Sequence, residues 1–191
     1  MEPARLEAFT DGVIAIIITI MVLEIHVPQG RDLASLRADV PVLLAYLLSY
    51  VNVGIFWNNH HHMLQVTERV DGKVLWANLA LLFWMSLVPF VIRWIDEAGF
   101  TALPTAAYGI VLACAAISYW VLERQIIVVN GRDSRLAVAV GNDRKGRLSV
   151  LLYVSAVALA FVRPWIAIAL YVMVALMWLV PDRRIESLVG K

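Results

Sequence analysis

Thiol chemistry is nearly absent: one cysteine, Cys114, stands in 191 residues. No intrachain disulfide and no thiolate metal cluster can form, so we read Cys114 as a small buried apolar residue. Charge is scarce as well, at 16% Asp, Glu, Lys and Arg, against about 25% in an ordinary soluble domain. The formal net charge of +1 leaves no global basic field, which argues against a nucleic-acid partner. Also missing are a low-complexity stretch, a repeat of fixed period, a phosphate-binding glycine loop, and a nucleophile with a base or metal set beside it. No catalytic residue, no resident metal and no cofactor are expected, and the chain is not read as an enzyme. What abounds is apolar surface: 61% of residues are hydrophobic and the mean hydropathy is +0.76. That composition excludes a disordered chain and implies an all-α membrane protein, one domain over residues 1–191.

A span needs about 20 apolar residues at 1.5 Å each. The scarce charges partition the chain into runs of this kind, giving helices at about 4–26, 39–65, 73–95, 102–128, 147–163 and 164–181. The last two come from one run that would measure about 50 Å as a single helix, too long for a core of about 30 Å, so it folds back. Arg163-Pro164 is the natural hairpin, because proline disfavours helix in the residue before it. Residues 129–146, with NGRDSR and GNDRKGR, read as a flexible polar loop. The acidic residues Glu2 and Glu7 and the absence of a small-residue cleavage site argue that helix one is retained.

Six spans put both termini on one side. Of the 16 Lys and Arg residues, twelve fall on the terminal side and four, Arg31, Arg37, Arg93 and Arg163, on the other. The positive-inside rule then places both termini in the cytoplasm. Trp94 and Trp165 fall at the outer boundary, Trp76 and Trp178 at the inner one.

Polar groups at membrane depth are costly, about 2.5–3.5 kcal/mol for a central Asp or Arg. Two clusters need explaining, RLEAFTD at residues 5–11 and FWNNHHH at residues 56–62. Folding the first hairpin about its outer loop brings Asp11 to the level of Phe56 to Asn58, and Arg5 near His61. Asp11 can accept from an Asn amide, a His ring or the Trp57 N–H, and we read it as a tertiary clamp in preference to a helix-start carboxylate. His60, His61 and His62 point about 100° apart from one another and cannot chelate one ion together.

Helix one carries a second pattern. With Ile16 as origin, Ile20, Leu23, Thr19 and Gly12 all lie within about 60° of it, whereas Asp11 lies about 140° away. Branched aliphatic side chains thus form a stripe on the face opposite the clamp. Periodicity does not choose between lipid and a pore as the neighbour of that stripe.

Arg5, Phe9, Thr10 and Asp11 fit an Arg-x-x-x-Phe-(Ser/Thr)-Asp pattern at the head of a first transmembrane helix. The segment FTDGVIAIIITIMVLEIHVP, supported by FWNNHHH and the six-span layout, resembles the transmembrane protein 175 family of potassium channels in its bacterial single-repeat form. Thr10 stands where Ser is commoner and keeps the hydroxyl. The resemblance implies a homotetramer with four copies of helix one around a central pore. It places the narrowest constriction at Ile16, further rings at Ile20 and Leu23, and a hydroxyl beside them at Thr19. It also implies that Arg5, Phe9, Thr10 and Asp11, with Trp57, Asn58 and His61, form a structural network that does not touch the ion.

The expected function is a potassium-selective, voltage-independent, leak-like channel in the plasma membrane of a prokaryote, with potassium ions, lipid and its own copies as partners. No TVGYG-like filter and no arginine ladder is present. Selectivity is therefore expected from hydrophobic rings, and Glu24 is a candidate for an anionic ring at the outer mouth. The alternative is a secondary transporter of a small cation or solute. Against it, no pair of spans is broken at midplane by Gly or Pro.

Overall fold

A computed structural model describes residues 2–27, 30, 32–141 and 143–179. Eight helices follow one another among these residues: α1 Pro3–Leu23, α2 Leu33–Gln65, α3 Gly72–Ser86, α4 Val88–Ala98, α5 Ala102–Asn130, α6 Arg135–Val140, α7 Arg144–Ala160 and α8 Pro164–Leu179. No strand occurs among the described residues. Four segments are long and apolar enough to cross a bilayer, Pro3–Leu23, Asp39–Gln65, Gly72–Ala98 and Ala102–Asn130, and Pro164–Leu179 is a shorter apolar helix.

Local chemistry sets the boundaries. α2 begins at Leu33, six residues before the expected 39, because the Asp32 carboxylate caps it, accepting from the Ser35 N–H at 2.9 Å and the Ser35 hydroxyl at 2.6 Å. The third expected helix, 73–95, is two helices. Pro89 in the first turn of α4 has no N–H to return to the Met85 carbonyl, so the ladder breaks at Leu87, whose N–H bonds instead to Trp84 O at 3.2 Å. α7 ends at Ala160 and α8 starts at Pro164, with the Arg163 N–H closing the turn on Leu159 O at 2.8 Å. The expected end of the last helix at 181 and the tail cations lie outside the described residues.

The polar segment 129–146 is not all loop. Ser134 caps α6 by accepting from the Ala137 N–H at 3.3 Å, and Leu136, Ala139 and Val140 are buried. Three apolar side chains on one short helix gain more from burial than a solvated loop would, which corrects the sequence reading.

One end of the bundle is tied by Asn130 at the close of α5. Its Oδ1 accepts from the Glu68 and Arg69 N–H groups at 3.0 and 2.8 Å, and its amide donates to Arg69 O at 3.0 Å. The α2–α3 connection thus finds its backbone partners on another helix. Between α5, α7 and α8 the packing is close: a Cβ on Gly109 would lie 2.0 Å from Tyr171 Oη and 2.9 Å from Val157 Cγ2. Tyr171 donates to Thr105 O at 3.1 Å and packs edge-on against Tyr108. Ser49 on α2 donates to Tyr108 Oη at 2.9 Å. These hydroxyls are satisfied in the interior, which is what makes their burial tolerable. Cys114 is half-buried rather than enclosed.

Candidate functional site

α1 packs against α2, α3 and α4, and its two faces are unlike. Leu6, Thr10, Ile14, Ile17 and Met21 are buried. The Ile16 stripe is bare: Ile16 is 59% exposed, Ile20 40% and Leu23 79%. Gly12 and Thr19 on the same face are exposed too. Thr19 donates its hydroxyl proton to Ala15 O at 2.5 Å, so the hydroxyl bonds to its own helix and keeps an outward lone pair.

The buried face is held by a three-helix polar relay. Asn78 on α3 donates from Nδ2 to Thr10 Oγ1 at 2.9 Å, and its Oδ1 lies 2.8 Å from His60 Nε2 on α2. All three residues are fully enclosed. With the Asn78 amide oriented by Thr10, its oxygen requires the proton on His60 Nε2, and Nδ1 is left without a partner among the described residues. Asn78 was not picked out from sequence, and His60 was weighed there only as one of three consecutive histidines. The available signal was a lone carboxamide in the apolar run WANLALLFW, since an amide at membrane depth must find an interhelical partner.

A second tier lies nearer the start of α1. Asp11 accepts from Trp57 Nε1 at 2.8 Å, and Trp57 stacks on His61 with centroids 5.8 Å apart. His61 Nδ1 pairs with Glu7 Oε1 at 2.5 Å, and its Nε2 meets Gln65 Nε2 at 2.7 Å. Arg5 was expected beside His61, but Glu7 takes that place. Glu7 and Asp11 are one turn apart and both face α2, whereas Arg5 lies about 200° around the helix from Glu7. Arg5 is exposed and its side chain makes no hydrogen bond or ion pair among the described residues; Phe9 is 51% exposed. By helical angle both fall within about 20° of Ile16, so they extend the bare stripe. Asn58 makes no hydrogen bond among the described residues. The four-residue motif therefore splits, Thr10 and Asp11 anchoring the helix within the subunit and Arg5 and Phe9 standing on the open face.

At the other end of α1, Glu24 is not a free carboxylate. Arg93 donates from Nη1 to Glu24 Oε2 at 3.1 Å and from Nε to Glu97 Oε1 at 2.9 Å. One guanidinium shared between two carboxylates ties Glu24 to α4, and the three groups together keep a net negative charge. Beside it, His26 Nδ1 pairs with Asp96, and that hydrogen bond, reinforced by the Asp96 charge, raises the His26 pKa above its ordinary value. Among the described residues no group of three His, Cys, Asp or Glu side chains could hold a metal ion.

Long apolar helices, one of them clamped by buried amide and imidazole groups and bare on its opposite side, define an integral membrane protein of the helical class. Comparison narrows this. Residues 5–89 match the family model described as "Endosomal/lysosomal potassium channel TMEM175". A potassium channel of Chryseobacterium sp. (strain P1-3) is 51% identical over 187 residues, covering 98% of this chain and 97% of that one. A potassium channel of Streptomyces collinus is 30% identical, covering 92% and 90%. The crystal structure of a lysosomal potassium-selective channel TMEM175 homolog from Chamaesiphon minutus superposes with a TM-score of 0.84 at 28% identity, over 95% of this chain and 98% of that one. The chain belongs to the TMEM175 family, a family of ion channels and not an enzyme class.

Proposed function

We propose that the chain is a potassium-selective, voltage-independent channel of a prokaryotic plasma membrane. In this reading each subunit crosses the bilayer six times with both termini in the cytoplasm, and four copies surround a pore lined by α1. The observation that carries it is the asymmetry of α1: Thr10, Asp11 and the buried aliphatics bind it to its own subunit, while Ile16, Thr19, Ile20 and Leu23 face outward together. The potassium channels similar in sequence over nearly their full length support the same reading.

Branched aliphatic rings make a pinch that water leaves readily, so conduction depends on wetting of the pinch. A permeating cation must shed part of its shell there, and potassium sheds water at lower cost than sodium. Selectivity of this origin is moderate. Thr19 offers an oxygen beside the pinch, and Arg5 and Phe9 stand at the head of the same stripe.

The test is potassium flux in proteoliposomes. Ile16→Asn is expected to raise flux and narrow the potassium-to-sodium ratio, because a polar ring stays wet. An unchanged ratio would remove Ile16 from the constriction. Saturable exchange in place of ohmic current would instead indicate a transporter.

A further inference from the structure

Away from α1, the helices α2, α5, α7 and the end of α8 surround a partly open cavity of about 60 Å³. Its walls are largely aromatic, with Phe56, Tyr119, Trp120, Tyr153 and Trp178 among the lining residues. Glu123 on α5 also lines it and is only 6% exposed. Its Oε1 is enclosed and has no hydrogen-bond partner among the described residues. A buried carboxylate with an unused oxygen is costly unless a cation or a donor meets it.

The neighbours increase that demand. Asp143, the cap of α7, lines the same cavity with its Oδ1 accepting from the Gly146 N–H at 2.8 Å. Asn59 donates one amide N–H to Ile55 O at 2.8 Å, and its Oδ1 is a further acceptor on this wall. Two cations lie over ring faces at its edge: Arg124 is 5.6 Å from the Trp120 centroid and the Lys145 ammonium 5.6 Å from that of Trp178. Both contacts show that indole rings of this wall accept positive charge. An inorganic cation wants a shell of oxygens, whereas much of this wall is ring carbon.

The geometry points to a binding site for a small organic ammonium, its charged head on Glu123 with Asn59 and Asp143 as further acceptors and its apolar body among the rings. Carboxylate and aromatic faces together select charge and apolar bulk in one molecule, which neither does alone. The site lies off the α1 face and is independent of the pore reading.

Tryptophan emission of the purified full chain in detergent, titrated with benzylammonium chloride at fixed ionic strength, tests this, with benzyl alcohol as the uncharged counterpart. Saturable change is expected with benzylammonium and not with benzyl alcohol. Glu123→Gln should weaken binding by about tenfold or more. Ala116→Phe fills the cavity from α5 and should abolish binding whether or not Glu123→Gln folds, with thermal unfolding as the control for integrity. The proposal is overturned by no saturable change in the unaltered chain, by equal binding of benzyl alcohol, or by unaltered binding in folded Ala116→Phe. It is overturned as well if potassium chloride alone produces the same saturable change, which would assign the cavity to an inorganic cation. Because the readout is binding in detergent, a failure here leaves the channel reading standing, and the reverse also holds.

Discussion

The two sides of α1 are made from the same residue types and differ in what answers them. Ile17 and Ile16 are neighbours in sequence, yet Ile17 is 3% exposed and Ile16 59%. Ile17 lies on the side where Asn78 and His60 reach across from two other helices, whereas Ile16 stays largely open among the described residues. One side is completed by its own chain, and the other is the side that the proposed channel turns to its pore. A helix fixed on one side alone can present the second in a constant orientation, which a hydrophobic constriction requires.

The sharpest way to break the contrast is Asn78→Leu. It strips Thr10 and His60 of their partner at once and is expected to cost about 1–3 kcal/mol, read as a lowered unfolding midpoint in detergent. Retention of full stability would mean the relay is ornamental. Next in size is the neighbouring pair: Ile17→Ala should cost about 1–3 kcal/mol through the cavity it leaves, and Ile16→Ala less than about 0.5 kcal/mol in the isolated subunit while changing flux. If both cost the same, Ile16 is packed and the bare side does not exist. Asp11→Ala removes the acceptor of the Trp57 N–H and should cost about 1 kcal/mol, visible as less assembled protein recovered from detergent.

The smallest effect belongs to the far end of α1. The His26 pKa is raised in the folded chain by Asp96. The pairing therefore contributes fully below the ordinary histidine value of 6.5 and is lost as pH rises through the raised folded value. His26 is exposed, so the effect is small. A thermal-midpoint profile across that range should flatten slightly in His26→Gln, and a profile unchanged by the substitution would show the pair to be idle.

Much of this was legible from the residues. Charge spacing marked the long apolar runs, Arg163-Pro164 marked the reversal, and the 3.6-residue period put Ile16, Ile20 and Leu23 on one side of α1 opposite Asp11. Proline chemistry was legible but not used within the expected helix 73–95, where Pro89 splits α3 from α4. Glu7 was passed over in favour of Arg5, although the one-turn spacing to Asp11 was available. Charge drew attention to Arg5, whereas direction decides contact.

Composition and periodicity determined that the chain is a membrane protein of apolar helices and which residues share a side of each, because these depend on intervals along one strand of sequence. Tertiary structure alone decided that His60 and not Asn58 enters the interior, that Arg93 occupies Glu24, and that Glu123 turns into an aromatic cavity. Each of these depends on a partner dozens of residues away, or on the rotation of one helix against another. Sequence spacing does not encode that rotation; the packing of side chains fixes it.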